Sequence, residues 1–221
     1  MPVDNLFNRL LARRFANDGQ KPEGSGRWRS PRLGIGSALI GLTLLVMVLL
    51  LMGGDPVRNA LRYERAAILD GEIWRLATAH WVHGDLEHLL LNLLGASIIT
   101  SLFTRTYRPA QWVWILIASV CAIDIGFLIC EPQLEWYVGV SGALHGALAA
   151  GTVAWWRRES GPLTIALTAI VVGKLAWEQW HGASLLADDM TVIVNSHLYG
   201  AIGGLIAAIV VELRTTTQGP L

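Results

Sequence analysis

The chain has 221 residues, of which 53% are hydrophobic and 15% are charged, and its formal net charge is zero. A soluble domain carries about 25% charged residues, so this composition indicates a membrane protein. The lack of a basic excess argues against nucleic acid as a partner. Cys121 and Cys130 have no metal-binding or redox spacing, and we expect neither a metal nor a cofactor.

The first 32 residues are polar and contain seven Arg or Lys side chains. They predict a flexible cytoplasmic arm, residues 1–32, whose positive charge sets the membrane orientation. Docking to anionic lipid is an alternative function for the same charges. The apolar run after the arm is too long for a signal peptide and has no small-residue cleavage site behind it, which favours a retained anchor.

Apolar runs between residues 33 and 213 predict one all-α membrane domain, a six-transmembrane-helix bundle. A cytoplasmic tail, residues 214–221, follows it. The fourth run is the shortest and is rich in Gly and Ala, which suits a helix packed inside the bundle. The predicted spans are Leu33–Met52, Leu86–Phe103, Ala110–Cys130, Ser141–Trp156, Leu163–Trp180 and Thr191–Leu213.

Charges in the connections predict that both termini are cytoplasmic. Two connections are basic, and the two on the opposite side contain acidic residues without Arg or Lys. The first connection, Gly53–Asp85, mixes both signs and contains Trp74 and Trp81, so we expect it to lie at the membrane interface. The residues that set the orientation are Arg105, Arg108, Arg157 and Arg158 on the cytoplasmic side, and Glu131, Glu135, Asp188 and Asp189 on the outer side.

A candidate nucleophile, Ser141, lies at the outer end of the fourth span, in the sequence Gly139-Val140-Ser141-Gly142. Glycines on both sides let a peptide backbone or another helix approach closely. Free N–H groups at a helix start suit a developing oxyanion. A serine hydroxyl still needs a base to take its proton. Taken alone, the tetrapeptide also fits a small-residue packing motif.

A candidate base, His197, lies near the outer end of the last span, on the same side of the membrane as Ser141. Gly200 and Gly204 form a flat helical face that lets the sixth helix approach the fourth. We therefore expect the imidazole to reach the serine hydroxyl. His145, one turn along the helix from Ser141, is a rival base with poorer geometry.

Other polar side chains lie at membrane depth, where each needs an explanation. His88 and Asn92 share one face of the second span and either donate hydrogen bonds to an oxyanion or clamp two helices together. Lys174 and Glu178 are interpreted as structural residues that either pair with each other or extend toward the outer interface. Asp124 is expected to face the bundle, with a third-member role behind the histidine base as a minor alternative.

These positions make the chain resemble the rhomboid proteases over about Gly71 to Ile209. The family's motifs occur here in the family's order and on the expected helices. The matching residues are Trp74-Arg75, His83, His88-x-x-x-Asn92, Gly139-x-Ser141-Gly142 and His197-x-x-Gly200-x-x-x-Gly204.

The resemblance implies an intramembrane serine protease that cleaves transmembrane segments of membrane-anchored proteins. It implies that Ser141 and His197 form a dyad without an acid. It also implies that Asn92, His88 and the Ser141 backbone N–H form the oxyanion hole, and that the third–fourth loop and the fifth helix govern substrate access. The supporting positions are His145, Gly139, Gly142, Gly200 and Gly204.

His145 stands where many rhomboids have a tyrosine that stacks on the catalytic imidazole. In this the segment is similar to the rhombosortase branch, bacterial rhomboids that process proteins ending in Gly-Gly, a helix and a basic tail. We expect His145 to pack on His197. The resemblance implies a bacterial inner-membrane protein whose site opens to the periplasm, with transmembrane substrates and the lipid bilayer as partners.

Two functions of other classes remain open. A rhomboid-like protein that binds transmembrane clients without cutting them normally lacks the serine or the histidine. A small transporter would use His88, Asp124, Lys174 and Glu178 as a relay, but it predicts internal repeats that the sequence does not have. The sequence does not indicate the oligomeric state.

Overall fold

The computed structural model describes residues 35–103, 105–158, 160–182 and 193–217. The predicted arm and the acidic pair Asp188 and Asp189 lie outside these residues. A compact unit runs from Gly41 to the end of the chain and contains the candidate site. The fold is mostly helical, as predicted.

The described residues form nine helices and one sheet of two short strands, and the sheet was not predicted. Two-residue strands leave no alternating pattern in a sequence, which is why the prediction missed them. The elements in chain order are α1 (Ile35–Met52), α2 (Gly54–Leu61), β1 (Tyr63–Glu64), α3 (Arg65–Leu69), α4 (Arg75–Thr78), α5 (Leu86–Phe103), α6 (Pro109–Cys130), β2 (Trp136–Tyr137), α7 (Ser141–Arg158), α8 (Pro162–His181) and α9 (Asn195–Thr217).

The length and apolar character of the helices identify an integral membrane protein. Within the described residues, α5, α6 and the Asn195–Arg214 part of α9 are long and apolar enough to cross a bilayer. The α1 and α2 pair passes the same test only together, bent by 113° at its break. The 18 residues of α7 and 20 of α8 provide length with less apolar character. The six-span count therefore stays a prediction.

Several helix ends follow from local sequence. The bounds of α5 are those predicted. α6 begins one residue before the predicted start because Pro109 suits the first turn of a helix, and the Gln111 side chain accepts a hydrogen bond from the Arg108 N–H at 2.8 Å. α8 ends at His181 and is capped by Gly182, whose left-handed φ of 68° lets its N–H donate to the Glu178 carbonyl.

Glycines bring the backbones of α9 and α7 into contact. A β-carbon on Gly200 would collide with the carbonyl of Gly142, and one on Gly204 would collide with the carbonyl of Gly146. Gly203 allows the same close approach of α9 to the backbone of α6. Small residues let helices pack this tightly without displacing their backbones. The first turn of α9 therefore lies directly beside the first turn of α7.

The first connection is a structured layer attached to the end of α6. Its strand β1 pairs antiparallel with β2, with Tyr63 opposite Tyr137 and Glu64 opposite Trp136. The Arg65 guanidinium donates to two carbonyl oxygens in the last turn of α6, at 3.0 and 3.1 Å. The last turn of a helix generally leaves carbonyl groups for partners outside the helix, and the arginine is such a partner here. This layer fixes the position of the third–fourth connection, which leads into α7.

The Trp74-Arg75 pair has one buried and one exposed member. Arg75 is buried, donates to the carbonyls of Asn59 and Arg62 at 2.8 and 3.0 Å, and pairs with Glu72 at 2.6 Å. Trp74 is exposed. The arginine thus holds the first connection together from inside. The interfacial position of this connection remains a prediction, to which an outward-facing tryptophan is suited.

Candidate active site

Ser141 is the first residue of α7, and the loop before it is tightly held. The Gly139 N–H donates to the Ala79 carbonyl at 2.9 Å, and the Tyr137 hydroxyl donates to the Gly139 carbonyl at 2.6 Å. Burial raises the pKa of Tyr137, so its hydroxyl keeps the proton that it donates. Gly139 has a φ of 115°, and a β-carbon on it would lie 2.6 Å from the His88 ring.

The imidazole of His197 meets the hydroxyl of Ser141. Its Nε2 lies 3.0 Å from the serine Oγ, which is the separation that proton transfer needs. His197 is 3% exposed and sits in the first turn of α9. The two residues are 56 positions apart in the chain, and the glycine contacts between α7 and α9 bring them together.

A carboxylate lies behind the imidazole, and this corrects our interpretation of Glu178. An oxygen of Glu178 is 2.9 Å from His197 Nδ1, and the residue is fully buried rather than directed to an interface. Its other oxygen accepts a hydrogen bond from Lys174, so the predicted ion pair is present. Because the carboxylate accepts a hydrogen bond, Nδ1 carries the proton and Nε2 is free to accept one from Ser141.

His145 covers one face of the imidazole. The His145 and His197 rings are stacked, with centroids 4.0 Å apart and planes at 19°. The Nδ1 atom of His145 lies 2.8 Å from the carbonyl oxygen of Ser141, and it donates there. The packing predicted for His145 is therefore present. Its Nδ1 is engaged with a carbonyl rather than with the serine hydroxyl, which leaves His197 as the residue placed to act as a base.

Asp124 is buried in the bundle, as expected, and it contacts His80 rather than His197, which contradicts the minor alternative of a third-member role. Its carboxylate lies 3.3 Å from His80 Nε2, and both residues are buried. The His80 ring in turn packs edge-on against Tyr137, with centroids 5.6 Å apart. Asp124 therefore connects α6 to the loop that precedes Ser141, which is a supporting contact rather than part of the serine–histidine pair.

His88 and Asn92 occupy one face of α5, as their spacing predicts. The ring of His88 borders the same cavity as Ser141. Asn92 is buried, and among the described residues its side-chain N–H₂ group has no hydrogen-bond acceptor. The ring of His83 packs edge-on against the ring of His88. Burial, and to a lesser extent the neighbouring His88, lower the pKa of His83 to about 4, so its imidazole is neutral at pH 7.

A cavity of about 520 Å³ opens above the serine. Its walls come from the first connection, the start of α5, the third–fourth connection and the start of α9. A volume of this size accepts several residues of an extended peptide but not an intact helix with its side chains. Its lining includes Arg58, His88, Tyr137, Ser141 and Ser196.

Comparison with known proteins agrees with this geometry. Residues 70–214 match the Rhomboid domain. The chain belongs to the rhomboid family. It is similar to "Rhomboid protease GlpG" of Salmonella choleraesuis (strain SC-B67), with 26% identity over 186 residues, and to the proteins of the same name from Salmonella newport (strain SL254) and Salmonella heidelberg (strain SL476), each with 25% identity. The matched region is 80% of this chain and 62% of the length of each relative.

In this rhomboid, three side chains near the serine also have the spacing of metal ligands. His145, Glu178 and His197 each offer one ligand atom, and these atoms lie within 4.8 Å of one another. The Lys174 ammonium, however, already binds the carboxylate, and its positive charge repels a metal ion. The arrangement favours a hydrogen-bonded chain of side chains, and the expected absence of a metal stays a prediction.

Sequence reasoning missed Glu178 because its spacing offered a simpler explanation. Lys174 and Glu178 are four residues apart on one helix, which accounts for both charges without a third partner. The missed signal was position along the helix: the last turn of α8 lies beside the first turn of α9, so a carboxylate there is within reach of His197. Arg58 was also missed as a cavity residue, since its connection was interpreted only as interfacial.

Proposed function

We propose that this rhomboid is an intramembrane serine protease that cleaves transmembrane segments of membrane-anchored proteins. The observation that supports it most directly is the 3.0 Å contact between Ser141 Oγ and His197 Nε2 at the wall of an open cavity. The name of the relatives, rhomboid protease, agrees with this activity. A client-binding protein without activity does not need a histidine nitrogen placed against the serine hydroxyl.

In the proposed reaction, His197 takes the proton of Ser141 as the oxygen attacks the scissile carbonyl. The oxyanion is held by the Ser141 backbone N–H, His88 and Asn92. The buried side-chain N–H₂ group of Asn92 has no acceptor among the described residues, which supports that role. His197 then gives its proton to the leaving amine. The acyl-enzyme is released by water or by another amine that enters from the aqueous side.

The substrate segment must unwind before it is cut. A helix hides its carbonyls in hydrogen bonds, and the cavity is suited to an extended chain. Gly and other poor helix formers at the cut site lower the cost of unwinding, by about 1 kcal/mol for each Gly relative to Ala. We propose substrates of the rhombosortase type, with a C-terminal Gly-Gly, a helix and a basic tail. His145 in the position of the usual tyrosine supports this branch.

We further propose that the protein resides in a bacterial inner membrane. Both termini would be cytoplasmic, and the cavity would open to the periplasm. The basic residues of two connections and the acidic residues of the third–fourth connection support this orientation.

Replacement of the paired residues tests the activity. Ser141→Ala and His197→Ala are each expected to abolish cleavage of a co-expressed substrate while leaving the protein folded. A fluorophosphonate probe should label the wild type and fail to label Ser141→Ala. Ser97→Ala, at an exposed serine of α5, and His181→Ala, at an exposed histidine ending α8, are matched controls that should cut normally. Cleavage that persists in either paired-residue variant would refute the proposal.

A further inference from the structure

Glu178 is the one carboxylate that contacts the proposed base among the residues the structure describes. It is fully buried, and both of its oxygens are engaged, one with His197 Nδ1 at 2.9 Å and the other with the Lys174 ammonium. The bond to His197 joins α8 to α9, 19 residues apart. We infer that Glu178 is a positioning residue for His197, so that the site operates as a serine–histidine–glutamate triad rather than a dyad.

The burial of this charge argues for a role beyond packing. Taking a carboxylate out of water costs several kcal/mol, and an apolar side chain in its place is often as stable or more stable. Lys174 compensates the charge without occupying the oxygen that faces the imidazole. The ion pair between Lys174 and Glu178 alone does not require a buried carboxylate, because the Lys174 ammonium is partly exposed and the two charges could meet at the helix surface. The orientation of the carboxylate towards His197 is what requires its burial.

The geometry defines what the carboxylate does. By accepting a hydrogen bond from the Nδ1–H of His197, it selects the tautomer whose Nε2 can receive the serine proton. Once that proton has moved, the imidazolium lies between the serine and a negative charge, which stabilises it. Stacking on His145 holds the ring plane. The imidazole is thus fixed at both nitrogens and on one face. No proton passes to the glutamate in this scheme.

This inference rests on the proposed protease activity, and Glu178→Gln tests it. Glutamine keeps the size and can still accept a hydrogen bond, but it lacks the charge. We expect kcat to fall by about 10²-fold or more, as for loss of general base catalysis, while KM changes little. Fluorophosphonate labelling of Ser141 should slow in parallel, and Glu178→Asp should retain more activity than Glu178→Gln because it keeps the charge.

The matched control is Glu212→Gln, which should keep the kcat of the wild type. Glu212 is another buried glutamate; it lies at the far end of α9 and pairs with Arg157 and Arg158 at the end of α7. A second variant, Lys174→Met with Glu178→Gln, removes both charges and leaves no unpaired ammonium if the single change impairs folding. A folded variant of either kind with wild-type kcat, or with a defect only in KM, overturns the triad. That result would leave the dyad intact, whereas cleavage by Ser141→Ala would remove the proposed function itself.

Discussion

Gly139 places the nucleophile, and two separate properties of its backbone require a glycine. Its φ of 115° lies in a region that side chains with a β-carbon rarely adopt. A β-carbon would also lie 2.6 Å from the ring of His88, a proposed oxyanion donor. The sequence indicated that glycines beside Ser141 allow close approach, but the structure shows that the residue approached is a side chain of the protein itself.

Replacing Gly139 by alanine is expected to damage both stability and activity. The strained backbone costs about 1–3 kcal/mol, and the collision displaces His88 from the cavity. The matched control is Gly71→Ala, since Gly71 has a φ of 106° but a β-carbon on it meets no described atom within 4 Å. Thermal unfolding in detergent should show a lower midpoint for both variants, with cleavage lost only in Gly139→Ala. Equal cleavage by the two would contradict the assigned contact.

At the scale of single residues, the sequence predicted the contacts of the proposed nucleophile and base. It did not predict the contacts of residues that act on the site through another residue. The structure brings together three residues that the sequence had grouped: Ser141, His197 and His145. Their residue types and their positions near the same ends of the spans were enough to predict these contacts. The pairing of Glu178 with Lys174 was predicted, but the second contact of Glu178, with His197, was not. Asp124 is buried as expected, but its contact with His80 was not predicted. Both contacts join different elements, so they depend on how the helices pack across the bundle.

Among the helices, α9 determines the geometry of the site. Its glycines touch carbonyls of α7 one turn and two turns below His197, so the separation of the two helices fixes the distance between imidazole and hydroxyl. Apolar length predicted where this helix runs, and the glycine spacing predicted the face it uses. The close approach of α9 to α6 at Gly203 was not predicted, because small residues indicate close packing without indicating which helix is the neighbour.

Gly204→Ala is therefore expected to disturb catalysis from a distance. Its β-carbon would collide with the Gly146 carbonyl, and a backbone cannot move aside as a side chain can. Overpacking costs about 1–3 kcal/mol, and a shift of α9 by about 1 Å lowers activity by up to about 10²-fold. Gly173→Ala in α8, where no described atom lies within 4 Å, is the control and should retain activity. A Gly204→Ala enzyme with unchanged cleavage would show that the two helices do not set the geometry.

For the molecule as a whole, the connections contribute as much to the site as the spans. The first connection pairs with the third–fourth connection through β1 and β2, and Arg65 fastens it to the end of α6. Hydropathy predicted spans but gave no information on this layer, because its strands are two residues long and its arginines bond to distant carbonyls. The strand pairing holds Trp136 and Tyr137 in the wall of the cavity that Ser141 lines.

Cysteine labelling tests the prediction that the cavity opens to the periplasmic side of the membrane. In a variant without Cys121 and Cys130, Glu135→Cys in the third–fourth connection and Arg105→Cys in the second–third connection each provide one exposed thiol. Because basic connections stay cytoplasmic, a membrane-impermeant maleimide should label Glu135→Cys in cells whose inner membrane is intact, and Arg105→Cys only after that membrane is permeabilised. The opposite pattern would place Ser141 near the cytoplasmic face, where substrates would be cut from the inside. Labelling of both positions in intact cells would instead contradict the alternation of the connections, and with it the even number of crossings.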